Sequence, residues 1–209
     1  MPRGAVNYQE LTDQELVAYA REGHEAAFRE LLGRYQRPVF SLIFRLVRDR
    51  EQAEDLAQEA FIKVFNALGR YAPGYKFSSW IFKIAHNTAL DHVRKKAPAM
   101  LSLDGSPHAS DGEEAGATAF TVVADDETPE EYTASREIGR ALEHAIAQLR
   151  PEYRTAILLW HVEGRAYEEI AEIMHVPLGT VKTYIHRARH ELRARLAHLR
   201  PETPAAPEA

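Results

Sequence analysis

Apolar positions recur every three to four residues along most of this chain, the spacing that lets one side of an α-helix face a core. In "LTDQELVAYAREG", Thr12 and Glu15 stand in capping-box spacing, Leu11 and Leu16 are placed to staple the entry, and Gly23 ends the helix. Phe28, Leu31, Leu32, Tyr35, Val39, Leu42, Ile43 and Leu46 form a second helical run, in which Pro38 predicts a kink or a break. A third run starts near Asp49, shows Ala53, Leu56, Ala57, Ala60, Phe61, Val64 and Leu68 on one side, and stops at Gly69. No strand period competes with these.

After a loop with Pro73 and Gly74, Ser78 is placed to cap a fourth helix. At ~100° per residue, Ile81, Phe82, Ala85, Ala89 and Val93 share one side, while Trp80, Lys83, Asn87 and Arg94 share the opposite one. Helical patterning resumes at "TPEEYTASREIGRALEHAIAQLR", where Thr128, Pro129 and Glu131 make a start signal. A helix from Pro151 to Gly164 follows, then a short one in "AYEEIAEIMHV", then the breaker Pro-Leu-Gly-Thr and a last helix. Two helices joined by a short turn with glycine are the helix-turn-helix pattern.

Between the patterned halves lies a stretch rich in Pro, Gly, Ser, Asp and Ala, without sustained period and unable to bury enough to order itself. Its "ATAFTVV" could form one short extended piece. The expected fold class is all-α: two small helical domains, 1–97 and 128–200, joined by an acidic flexible linker, 98–127, with a disordered tail, 201–209.

Charge sharpens this division. The net charge of −5 argues against nucleic acid only until it is split. Residues 1–97 hold 15 Lys+Arg and 12 Asp+Glu, residues 98–135 hold none and nine, and residues 136–209 hold 11 and 10. The acidity sits in one segment. The chain has no cysteine, which excludes disulfides, thiolate metal sites and cysteine nucleophiles. No N-terminal apolar stretch reads as a signal peptide and no run approaches a membrane span, so a soluble cytoplasmic protein is expected.

In the last helix, Val181, Ile185, Ala188, Leu192, Leu196 and Leu199 form one stripe; Lys182, Thr183, His186, Arg187, His190 and Arg193 form the other. From His175 to Arg200 there are six Lys+Arg and one acid, against two and five from Pro151 to Met174. The second helix of such a motif enters the major groove with its N-terminal residues meeting base edges. Thr180, Lys182, Thr183, His186 and Arg187 are therefore the candidate readers, with Arg189 and Arg193 suited to phosphates.

In the first half, Tyr71, Tyr75, Phe77 and Trp80 alternate with Arg70, Lys76 and Lys83, the ingredients for stacking exposed bases while screening phosphates. His186 and His190 have zinc-gripping spacing, but no third ligand has a claim, and no metal or cofactor is expected. No Ser-His-Asp set, paired-carboxylate motif or Gly-rich phosphate loop stands out, so no catalytic residue is assigned and no enzyme is expected.

Both lobes together resemble a bacterial sigma factor of the extracytoplasmic-function (ECF) class within the sigma-70 family. "AEDLAQEAFIKVF" and "FSSWIFKIAHNTALDHVRKK" resemble its polymerase-binding and promoter-melting segments. "LRPEYRTAILLWHVEGRAYEEIAEIMHVPLGTVKTYIHRARHELRARL" resembles its upstream-element reader. The resemblance implies a specificity subunit that binds core RNA polymerase through its beta and beta-prime subunits and opens promoter DNA. It implies polymerase contacts for Glu54, Asp55, Gln58 and Glu59. For the −10 element it implies Tyr75, Lys76, Phe77, Trp80, Lys83, Asn87 and Arg94, and for the −35 element Lys182, Thr183, His186 and Arg187. It further implies an anti-sigma partner, which in such proteins often sits at the inner membrane. Tyr184, His186 and His86 depart from the family's usual residues. The alternative reading is a stand-alone helix-turn-helix regulator whose first lobe senses a ligand or dimerises.

Overall fold

The computed structural model describes residues 6–96 and 129–199, and every described regular element is helical. The linker assigned to 98–127 with its "ATAFTVV", the Thr128 cap and the tail at 201–209 lie outside the described residues.

The first lobe contains α1 (Asp13–Arg21), α2 (Glu25–Val47), α3 (Arg50–Ala67) and α4 (Phe77–Lys96). Local chemistry sets their ends. Thr12 and Glu15 close a full capping box on α1, and Gly23 turns the chain with φ +90°. Asp49 accepts a hydrogen bond from the Gln52 N–H at 2.9 Å and so caps α3. Leu16, Leu31, Val39, Ile43, Ala53, Ala60, Val64, Ile81, Phe82 and Ala85 meet in the core.

Of the kink or break expected at Pro38, the break does not occur: α2 continues as one helix through it. Proline removes one backbone hydrogen bond and crowds the preceding turn, at about 3 kcal/mol. The neighbouring Tyr35, Val39, Leu42 and Ile43 are all buried, and their burial at about 1.5–3 kcal/mol each outweighs that cost. Polar clamps fix the α1 end of the bundle. Arg21 donates to the carbonyls of Leu68 and Gly69 at 3.0 and 3.2 Å and also to that of Tyr71. Arg34 joins Asp13 at 3.0 Å and Glu30 at 2.9 Å, and Asp13 accepts the Tyr35 hydroxyl, whose pKa burial and that carboxylate push upward.

The second lobe contains α5 (Pro129–Ala147), α6 (Pro151–His161), α7 (Tyr167–Met174) and α8 (Leu178–Arg195). Pro151 opens α6 at its first position and Gly164 follows it with φ +62°. Leu149, Ala156, Leu159, Ile170, Ile173, Val181 and Ile185 are its buried centre. The lobes touch: α4 packs on α7 and α2 on α6, joining the two apolar interiors into one cluster.

Candidate nucleic-acid interface

The turn of the helix-turn-helix is His175-Val176-Pro177, and it contains no glycine. His175 takes the left-handed conformation at φ 58°, and the Val176 N–H reaches the Ala171 carbonyl at 3.1 Å. Leu178, Gly179 and Thr180, read from the sequence as a breaker, already form the first turn of α8, with the Thr180 N–H on the Pro177 carbonyl at 2.9 Å. α8 stops at Arg195, short of the stripe expected to reach Leu199.

Val181, Ile185 and Ala188 anchor α8 inward, and this fixes what points out. Lys182, Thr183, His186, Arg187, Arg189, His190 and Arg193 are exposed, and Thr180 is half-buried. Two of the arginines are held by α6. Arg187 Nη1 donates to the Tyr153 hydroxyl at 3.0 Å, and that hydrogen bond raises its pKa, so it stays cationic. The Arg189 guanidinium lies 3.9 Å from the Trp160 ring centre, a cation–π stack. The Thr183 hydroxyl donates to the Gly179 carbonyl at 2.9 Å and keeps its lone pairs outward as acceptors.

On α4, the opposite-side residues are distributed as the wheel predicts: Asn87 and Arg94 are exposed, Trp80 and Lys83 half-buried. Tyr75, in the loop before it, is 60% exposed. Phe77 departs from expectation. α4 begins at Phe77, one residue before the expected cap Ser78, which is itself buried. In that helical frame Phe77 lies one turn before Ile81 on the core side, and it is only 2% exposed. Its ring is packed by Tyr35 at 5.5 Å, Tyr71 at 5.7 Å and Trp80 at 5.7 Å. Phe77 and buried Tyr71 thus form the floor on which Trp80 leans, and Tyr75 and Trp80 alone offer ring surface. Lys76 is exposed but ion-paired, its Nζ 2.5 Å from Glu169 of α7.

His86, beside Asn87, is buried, and its Nδ1 has no hydrogen-bond partner among the described residues. Burial lowers its pKa. Among the described residues no group of three His, Cys, Asp or Glu is placed to hold a metal ion, and no helix is long and apolar enough to cross a membrane.

α3 presents the third surface. Glu54, Asp55, Gln58 and Glu59 are all exposed, with Glu54 paired to Arg50 at 3.0 Å and Glu59 to Lys63 at 2.7 Å. Ile62 and Phe65, 60% and 59% exposed, fall within the same arc and were not singled out in the sequence. The signal was present, because ~100° steps from Glu54 bring both into the arc of the acids.

Comparison with known proteins completes the picture. The Sigma-70 region 2 family matches residues 31–98, which hold α3 and α4, and the Sigma-70 region 4 family matches residues 139–192, which hold the helix-turn-helix. The ECF RNA polymerase sigma factor SigW of Bacillus subtilis is 34% identical over 91% of this chain and 100% of its own length. The RNA polymerase sigma-H factor of Pseudomonas aeruginosa is 38% identical over 86% and 91%, and the ECF sigma-E factor of Escherichia coli 35% over 88% and 94%. Solved structures share the fold: CnrH in complex with the cytosolic domain of CnrY, at TM-score 0.64 and 21% identity over 89% of this chain and 97% of that one. The sigma factor RpoE in complex with the anti-sigma factor NepR, from Bartonella quintana, gives TM-score 0.61 and 22% identity over 83% and 98%. A region 2 match over most of the first lobe, from residue 31 onward, favours that family over the reading of the lobe as a sensing or dimerisation domain. The outward basic side of α8, the open Trp80–Asn87 side of α4 and full-length relatives of one kind converge: this chain belongs to the ECF sigma factors, transcription initiation factors of the sigma-70 family.

Proposed function

We propose that the two lobes divide the promoter between them. α8 reads the −35 element in the major groove through Lys182, Thr183, His186 and Arg187, with Thr180 at the groove edge and Arg189 and Arg193 on phosphates. The α4 side reads the opened −10 element: Tyr75 and Trp80 stack unpaired bases, Asn87 contacts a base edge, and Lys76, Lys83 and Arg94 screen the strand. Phe77 acts beneath them by holding Trp80 upright. The observation that carries this reading is that Lys182 and Arg187 in one lobe and Asn87 in the other are exposed together, although nothing in the packing of either lobe requires a polar face there.

Core polymerase docks on α3. Glu54, Asp55, Gln58 and Glu59 make an acidic rim for a basic partner, and Ile62 and Phe65 provide the apolar centre that such interfaces rely on. The chain acts by binding, in the cytoplasm, and needs no cofactor. RpoE of Bartonella quintana was solved with an anti-sigma factor, and an anti-sigma protein, held at the inner membrane face, is proposed for this chain as well.

Run-off transcription with core polymerase and fragmented genomic DNA tests the assignment. Discrete initiation sites with a shared upstream sequence are expected. Transcripts no different from those of core polymerase alone would overturn it.

A further inference from the structure

The loop between α3 and α4 has little regular structure of its own. Residues 68–76 contain a short 3₁₀ turn, Leu68–Arg70, before α4 begins at Phe77. Backbone acceptors in such a stretch need partners from elsewhere. Side chains of α1 serve four of them. Arg21, in its last turn, donates through Nε to the Leu68 carbonyl at 3.0 Å, and through Nη2 to the Gly69 carbonyl at 3.2 Å and to that of Tyr71. Its guanidinium carbon also lies 5.9 Å from the centre of the Tyr71 ring. Gln14, in the first turn, donates to the Pro73 carbonyl at 3.4 Å.

Gln14 and Arg21 are separated by about two helical turns, so they share one side of α1 about 10 Å from each other. The loop lies along that side, gripped near both of its ends. The grip extends to the aromatic residues. The Tyr71 hydroxyl donates to the Tyr75 carbonyl, and the Tyr75 N–H donates to the Ala72 carbonyl at 3.2 Å. At the start of α1, Asp13 accepts the Tyr35 hydroxyl, and the Tyr35 ring lies 5.5 Å from that of Phe77, the residue on which Trp80 leans.

An arginine in a last turn ordinarily complements the dipole of its own helix. Here its three acceptors all belong to the loop, 47 to 50 residues further along the chain, and the guanidinium suits them because its donors are fixed in a planar fork. α1 lies ahead of residues 31–98, the stretch that the region 2 family matches. A loop that is fixed before binding loses little entropy when a base is captured, and it holds one shape against the wrong bases.

We propose that α1 is the positioning element of the −10 reading loop, and that Arg21 is a positioning residue that sets base preference without touching DNA. It acts through the Leu68, Gly69 and Tyr71 carbonyls on Tyr75 and Trp80. This rests on the −10 reading above, in which those two rings stack unpaired bases. Arg21 is exposed, yet its donors are turned to the loop, and in this scheme it makes no phosphate contact.

Holoenzyme binding to fork-junction DNA, duplex at −35 and single-stranded through −10, tests this on a panel carrying each base at each −10 position. Arg21→Gln should weaken binding to the preferred −10 sequence about three- to tenfold and leave the disfavoured ones nearly unchanged, so that base preference narrows. Arg21→Lys keeps the charge and loses the fork, and should give the same pattern. Neither variant should alter the slope of log affinity against log salt or the affinity for a −35 duplex. Tyr71→Phe deletes the hydroxyl bonded to the Tyr75 carbonyl and should narrow preference at the same positions, and the double variant with Arg21→Gln should lose less than the product of the two. Because the chain has no cysteine, Ala72→Cys, exposed in the loop, takes a single nitroxide, whose spectrum should sharpen in the free Arg21→Gln protein. An unaltered spectrum, or full parental base preference in Arg21→Gln, would overturn the proposal. Rescue by lysine, with a salt slope lowered by about one in Arg21→Gln, would make Arg21 a phosphate contact instead. An equal loss on every base with a lowered melting temperature would reduce it to a support of the fold alone. A parent holoenzyme indifferent to the −10 bases would sink the −10 reading itself, while the nitroxide would still show whether Arg21 fixes the loop.

Discussion

Arg187 offers a sharp test because its geometry predicts two separable effects. An arginine that makes a paired contact to a guanine edge discriminates against the wrong base by roughly 5- to 150-fold, so Arg187→Ala should weaken binding to the −35 duplex by a factor in that range. The loss should vanish on duplexes altered at the one base pair that Arg187 reads. The fold should hardly respond, since the side chain is exposed. Tyr153→Phe separates positioning from contact. It deletes the oxygen that accepts from Arg187 at 3.0 Å and keeps the ring that packs 5.5 Å from Tyr184. A freed arginine must be ordered on binding, and the entropy of a long side chain makes that a roughly three- to tenfold loss in affinity. Losing the Tyr153 hydroxyl bond should lower stability by no more than about 1.5 kcal/mol.

Fluorescence anisotropy of holoenzyme on a panel of single-base promoter variants reads both effects, with a salt titration alongside. The slope of log affinity against log salt should fall by about one for Arg187→Ala and stay put for Tyr153→Phe, which removes no charge. A loss spread evenly over all base variants would make Arg187 a phosphate contact. No loss in either mutant would remove the Tyr153–Arg187 pair from promoter reading altogether.

Three further outcomes are expected. Ile62→Asp should weaken core polymerase binding by at least about 2 kcal/mol in a competition assay while leaving the melting temperature unchanged, because the side chain is 60% exposed. Asn87→Ala should leave duplex binding intact and reduce permanganate reactivity of the opened −10 thymines, since the exposed amide touches only the unpaired strand in this scheme. Stability should fall on acidification below about pH 6.5, the ordinary histidine value. Burial depresses the folded His86 pKa, so its stabilising contribution is full above the unfolded value and is lost as the pH drops through the folded one. Asn87, Glu152 and Asp91 oppose the shift and Arg94 assists it, so thermal melts of His86→Gln should show a flatter profile between pH 7 and 5.

Helix ends were legible wherever the signal is local. Thr12 with Glu15, Asp49, Pro151, Gly23 and Gly164 each act within one turn, and the structure uses each as read. The outward side of α8 was legible too, because Val181, Ile185 and Ala188 fix the rotation of a regular helix. What escaped is what depends on distant chain. Pro38 does not break α2, because packing on both sides of it outweighs one missing hydrogen bond. Phe77 looked like part of an exposed aromatic loop, and only the earlier start of α4 and the presence of Tyr35 and Tyr71 turn it inward. Arg154 finds the α2 carbonyls of Arg45 and Leu46 more than 100 residues away, a relation that no periodicity encodes.

The arginines also show why charge counted by segment is a poor guide to where nucleic acid binds. The first 97 residues carry a small excess of cations, yet Arg21 is tied to backbone carbonyls and Arg34 and Arg45 to carboxylates. In the second lobe Arg154 is half-buried, and desolvation with the nearby charge of Arg48 pushes its pKa down to about 10, while Arg193 on α8 remains exposed. A phosphate meets only cations whose field reaches solvent, so the footprint proposed above rests on Lys182, Arg187, Arg189 and Arg193 on one side and on Lys83 and Arg94 on the other. The structural arginines do a different task with the same group: a guanidinium carries enough donors to satisfy several carbonyls at once, which lets it join helix ends that lysine would leave partly unpaired. Lys76 stands between the two classes, exposed to solvent yet held by Glu169, so its charge is shared with a carboxylate before any phosphate could meet it.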